Sequence, residues 1–126
     1  MNPNQLKFAK THEWVALEGN TATVGISDFA VKELTDVVHI ELPHAGKPIS
    51  AGETFGEIES VKAVSDLYAP VSGKILEVNS ALQDDLTPLS EDPFGAGWIL
   101  RIEVENPQQL EALLSYADYQ KECDSH

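Results

Sequence analysis

Gly56-Glu57-Ile58-Glu59-Ser60-Val61-Lys62-Ala63-Val64-Ser65-Asp66-Leu67-Tyr68-Ala69-Pro70-Val71-Ser72-Gly73-Lys74-Ile75 is the stretch that decides how this chain is read. Its apolar residues are largely β-branched or aromatic, and Ser72-Gly73 is a turn signal. Strands are predicted over 54–61 and 67–71, with a third over 74–78. Lys62 falls between the first two, at a hairpin tip between Val61 and Val64. Basic side chains are scarce, with 8 Lys and Arg against 21 Asp and Glu. A lysine on such a tip suits a position that another enzyme must find and modify. Turning its amine into an amide would remove one more positive charge from a formal total of −13.

Outward from this hairpin, most segments read as short strands. Residues 13–17 and 22–26 flank Glu18-Gly19-Asn20, a hairpin signal. Residues 37–42 are rich in β-branched side chains and stop at Pro43. Residues 98–105 alternate, which predicts Trp98, Leu100, Ile102 and Val104 on one face and Arg101, Glu103 and Glu105 on the other. Ser27 or Asp28 can cap a short helix ending at Leu34. Asn106 is an N-cap candidate with Pro107 at the first helical position. Leu110, Leu113, Leu114 and Ala117 then follow helical spacing, so a C-terminal helix is predicted over about 107–122. Residues 80–97 read as an acidic, irregular loop. The whole predicts one domain, 1–126, mainly β: a small sandwich or barrel with a short helix and a C-terminal helix.

Composition narrows the function. A charge of −13 opposes nucleic acid and anionic membrane as partners. It favours a monomer and a basic rim on whatever protein docks, with Asp84-Asp85 and Glu91-Asp92 as solvated or docking faces. The single cysteine, Cys123, allows no internal disulfide and no zinc spacing. No apolar run approaches the roughly 18 residues of a membrane span, and residues 1–8 lack a signal core, so a cytoplasmic protein is expected. His39, Glu41 and His44 are close in sequence, but His44 lies beyond Pro43, and solvated histidines are expected rather than a metal site. There is no Gly-x-Ser-x-Gly elbow, and Gly95-Ala96-Gly97 precedes a strand rather than a phosphate-binding helix. With no base assigned to Cys123 either, no catalytic constellation emerges and the expectation is a protein that is not an enzyme.

Glu59-Ser60-Val61-Lys62-Ala63, followed by Ser65-Asp66-Leu67-Tyr68, resembles the lipoyl attachment segment of the glycine cleavage H proteins. Biotinyl domains usually place Met on both sides of the lysine, where this chain has Val61 and Ala63. Lipoyl domains of 2-oxo acid dehydrogenases usually place Asp before it. The likeness continues in order through His12-Glu13-Trp14-Val15, Val24-Gly25-Ile26-Ser27-Asp28-Phe29-Ala30 and Glu41-Leu42-Pro43. It resumes at Ala69-Pro70-Val71-Ser72-Gly73, Glu77-Val78-Asn79, Asp92-Pro93-Phe94-Gly95 and Gly97-Trp98, and covers roughly residues 6–122. His39 departs from a position where an aromatic apolar residue is common. Thr35 stands where glycine is frequent, and Leu86-Thr87-Pro88-Leu89-Ser90 replaces the usual loop wording.

The resemblance implies a barrel-sandwich hybrid of lipoyl-domain type with a lipoyl hairpin at about 54–78. It implies lipoate amide-linked to Lys62, with Glu59, Ser60, Val61 and Ala63 as the flank that lipoyl-attaching enzymes recognise. Thr11, Glu13, Ile26 and Asp66 would line a cleft for the arm, with Glu13 and Asp66 available to a cargo ammonium and Ile26 packing on the arm. The implied role is to shuttle the aminomethyl group of glycine from a pyridoxal-phosphate glycine decarboxylase (P protein) to a tetrahydrofolate-dependent aminomethyltransferase (T protein). Dihydrolipoamide dehydrogenase (L protein) would reoxidise the arm. A lipoyl relay that donates lipoate to other dehydrogenase complexes is the alternative; a biotinyl module and a plain binding domain are further rivals.

Overall fold

In the computed structural model, which describes residues 6–34 and 36–124, the chain opens with β1 (Lys7–Phe8), β2 (Glu13–Glu18) and β3 (Thr21–Ile26). Gly19 turns β2 into β3 at φ +61°, a conformation that glycine supplies without steric cost. α1 (Asp28–Leu34) follows, then β4 (Val37–Glu41), β5 (Pro48–Ile49), β6 (Thr54–Ser60), β7 (Val64–Tyr68) and β8 (Gly73–Val78). Two short helices, α2 (Ala81–Asp84) and α3 (Thr87–Glu91), lead to β9 (Leu100–Val104). A 3₁₀ turn (Pro107–Ala112) and α4 (Tyr116–Asp124) end the described chain. Thr35 lies outside the described residues.

The described strands form two sheets. The larger runs β1-β2-β3-β9-β8-β5 and the smaller β4-β6-β7. Val15, Val24, Ile75 and Ile102 of the larger sheet share one core with Ile40, Ile58 and Leu67 of the smaller, closed by Leu34, Leu82 and Leu89 from the three short helices. Each such side chain contributes about 1.5–3 kcal/mol by leaving water. The first half of β2 is buried on both faces, while Leu17 and Glu18 are exposed. Val15 joins this core, while Trp14 points away into a second cluster with Phe8 and Tyr119. Gly25, opposite Trp14, makes room for the indole, since a Cβ there would lie 2.5 Å from the ring. The indole N–H donates to Pro93 O at 2.9 Å.

The mainly β sandwich agrees with the sequence reading; several details differ. The hairpin read at 54–78 ends at Tyr68, because β8 crosses to the larger sheet and pairs with β9. The helix read over 107–122 is interrupted. Asn106 does cap, accepting from Gln108 N–H, but Leu114 is extended and exchanges backbone hydrogen bonds of 2.7 and 2.8 Å with Phe8. That pairing ends the 3₁₀ turn, and Ser115 restarts α4 by capping Asp118 N–H. The acidic stretch 80–97 holds α2 and α3, whose Leu82 and Leu89 are drawn into the core. Trp98 does not share the face of Leu100. It belongs with the Trp14 cluster, and the Arg101 guanidinium lies 4.2 Å over its ring. A bulge in β4 leaves both Val38 and His39 exposed, so His39 does point away from the core although strict alternation fails.

Candidate functional site: a clamped hairpin tip beside a cleft

Lys62 occupies the turn between β6 and β7 with its side chain exposed. Two-residue hairpin loops usually need positive φ to match strand twist. Among the described residues the only non-glycine with positive φ is His12, so Val61 and Lys62 turn without it. Ser60 compensates. Its N–H donates to Ala63 O at 2.8 Å. Its hydroxyl donates to the same carbonyl and accepts from Ala63 N–H, both at 3.1 Å. Val61 N–H adds a bond to Asp36 O at 3.1 Å. The side chains that these bonds leave outside are apolar, Val61 74% and Val64 58% exposed. Of the flank read from sequence, Glu59, Val61 and Ala63 face solvent and Ser60 is the buried clamp.

Behind the tip lies a cleft of about 630 Å³ between β7, α1 and the turn before β2. Thr11, Ile26 and Asp66 line it together, with Lys10, His12, Phe29, Glu33 and Ala63. Glu13 does not. It pairs with Ile26 in register, is 1% exposed, and lies under the cleft wall. One carboxylate oxygen accepts the Thr11 hydroxyl, and the other accepts Tyr68 N–H at 3.2 Å, tying the larger sheet to the end of the smaller. Burial outweighs these hydrogen bonds and raises the Glu13 carboxyl from its ordinary 4.5 to about 7. The expectation that Glu13 lines the cleft is therefore corrected: it supports Thr11 and Tyr68 from beneath.

The sequence reading missed the far wall. His12 sits at φ +83°, uncommon for a non-glycine residue, which costs on the order of 1–3 kcal/mol unless its surroundings hold it. Its Nδ1 lies 2.6 Å from the Tyr119 hydroxyl, and that hydroxyl lies 2.5 Å from Ser27 Oγ. Burial pushes the Tyr119 phenol well above its usual range, so it stays protonated. Ser27 was legible as a cap, and its Oγ accepts Ala30 N–H at 3.2 Å. Tyr119 carried no signal, being 107 positions from His12.

The model of the family described as glycine cleavage H-protein matches residues 6–126. The chain belongs to that family. It is 51% identical over 119 residues to the glycine cleavage system H protein of Carboxydothermus hydrogenoformans, spanning 94% of this chain and 92% of that one. It is 50% identical over 122 residues to the protein of the same name from Acaryochloris marina, spanning 97% and 95%. The crystal structure of a glycine cleavage system H protein from Mycobacterium marinum superposes with a TM-score of 0.86 at 38% identity, covering 98% of this chain and 99% of that one. Membership in the H-protein family gives this chain a lipoyl-carrier role in glycine cleavage. Among the described residues no helix is long and apolar enough to cross a membrane, and no three His, Cys, Asp or Glu are grouped to hold a metal ion.

Proposed function

We propose that Lys62 is the residue to which lipoate is amide-linked, and that the loaded arm returns to the cleft beside it. The observation that carries this is an exposed lysine on a turn fixed by Ser60, adjacent to a cleft of about 630 Å³ that holds Thr11, Ile26 and Asp66. The donor set fits the group: a single outward amine for the amide, an apolar wall for a hydrocarbon arm, and a carboxylate for a cation. Lipoate, when bound, supplies a disulfide that takes the glycine-derived aminomethyl unit on one sulfur while the other becomes a thiol.

The protein's own part is reach, shelter and charge. Ser60 holds the turn so that the amine stands clear of both sheets. Ile26 and Phe29 offer apolar surface to the arm. Asp66 and the Thr11 hydroxyl face a cationic cargo. Beneath them, a cation entering the cleft lowers the hold of Glu13 on its proton, so the floor gains negative charge as cargo arrives. Limiting water at the cargo slows its loss before transfer. Glycine decarboxylase, aminomethyltransferase and dihydrolipoamide dehydrogenase are the proposed partners, their basic rims meeting a chain of net charge −13.

The test is the intact mass of the chain from a host that makes lipoate, with peptide mapping across Lys62. A lipoyl increment on Lys62 is expected. A biotinyl increment would move the protein to carboxylase chemistry, and an unmodified lysine would leave a plain binding domain.

A further inference from the structure

We infer that Tyr119 is a positioning residue for the cleft: its hydroxyl latches α4 to Ser27 and His12 and so fixes the wall against which the arm and its cargo rest. This deepens the reading proposed above and rests on it.

The latch joins three distant pieces of chain. Tyr119 is 2% exposed and does not line the cleft, so it acts only through its neighbours. Its ring stacks on Phe8 with centroids 4.6 Å apart and planes 12° from parallel, which anchors it to β1. Its hydroxyl meets His12, which does line the cleft, and Ser27, whose side chain caps α1. The His12 backbone is also tied in place, its N–H donating to Ala9 O at 3.0 Å and its carbonyl accepting from Ser27 N–H at 2.9 Å. The left-handed turn at His12 is thus held from both its backbone and its ring, which is the over-determination that such a conformation requires.

Ser27 Oγ already accepts Ala30 N–H and is fully buried. The latch as inferred runs from Ser27 O–H to Tyr119 Oη and from Tyr119 O–H to His12 Nδ1, with the His12 proton on Nε2; the Cys123 side chain is a further neighbour of the same hydroxyl. The seam that the latch closes lies directly behind the cleft. A second cavity of about 290 Å³ between α1 and α4 is lined by Tyr119 and by Phe29, and Phe29 also lines the cleft. The His12 and Phe29 rings are 5.3 Å apart. Releasing α4 would therefore free His12 and Phe29 together and admit water to the cleft from its far side.

Tyr119→Phe keeps the stack on Phe8 and removes only the hydroxyl. In the unmodified chain, ¹⁵N spectra of the His12 imidazole should show one Nε2-protonated form in wild type and a mixture in Tyr119→Phe. In the lipoylated chain charged from glycine, loss of the cargo to solvent should rise about two- to tenfold in Tyr119→Phe, the range set by one neutral hydrogen bond. Should Tyr119→Phe fail to fold, His12→Asn tolerates the positive φ, lacks the imidazole, and should show the same rise. A lipoylated variant that keeps its cargo as long as wild type, whatever its ring spectrum, overturns the latch alone. A chain that takes up no lipoate overturns the carrier reading, while the His12 spectrum still decides whether the hydrogen-bond chain exists.

Discussion

At the hairpin tip, Ser60 makes both of its side-chain hydrogen bonds to Ala63, three residues away. Around the cleft, Glu13 reaches Tyr68 across 55 positions and Tyr119 reaches His12 across 107. The tip is a local device with exposed apolar side chains and a solvated lysine. The cleft is a tertiary device with a buried carboxyl, a strained histidine and a buried phenol. The difference teaches how one small chain can serve two demands. On the proposed function the tip is what other proteins read, and it can be altered without touching the core. The cleft must keep a shape, and its parts are coupled to folding.

The sharpest break between the two regions comes at Lys62. Lys62→Arg should abolish lipoylation entirely, read by intact mass, while changing stability by no more than about 0.5 kcal/mol in a thermal melt. A comparable loss of stability would mean that the tip is part of the core after all.

Glu13 tests the other side of the comparison through pH. Its carboxyl is raised in the folded chain from 4.5 to about 7, so the fold binds that proton more tightly than the unfolded chain does. The stabilisation is fully present below about pH 4.5 and is lost as pH rises through about 7. Relative to Glu13→Gln, wild type should lose about 3 kcal/mol between about pH 4 and pH 8, measured by denaturant melts across that range. Parallel stability curves would show that the carboxyl is not buried as described.

Ser60→Ala should have a mixed and smaller effect. Losing the hydroxyl leaves Ala63 N–H unpaired near the surface and costs about 1 kcal/mol. It should also slow lipoyl attachment several-fold without lowering its final extent, followed as a mass time course. Val61→Ser is the mildest probe. With the side chain 74% exposed, stability should stay within about 0.5 kcal/mol, and only the rate of attachment should fall. If that rate is unchanged, the exposed valine is not part of what the attaching enzyme reads.

What the sequence made legible follows the same division. Lys62, its flank, the turn at Gly19 and the Ser27 and Asn106 caps are signals carried within a few residues, and each appears where those signals put it. The mainly β sandwich was legible because alternation and turn residues are local too. The interruption at Leu114 was not, because its cause is a backbone pairing with Phe8 at the other end of the chain. The burial of Glu13 was hidden for a related reason. Thr11 and the Tyr68 backbone close over that carboxyl, and Tyr68 lies 55 positions away on the smaller sheet, so no pattern around residue 13 announces its burial.

The most direct test of the account compares backbone amide spectra of the lipoylated chain before and after charging with glycine and glycine decarboxylase. The account predicts shifts at Thr11, Ile26 and Asp66, with little change beyond the cleft and the tip. Shifts confined to residues 60–64, with the cleft silent, would show that the loaded arm stays in solvent and would contradict it.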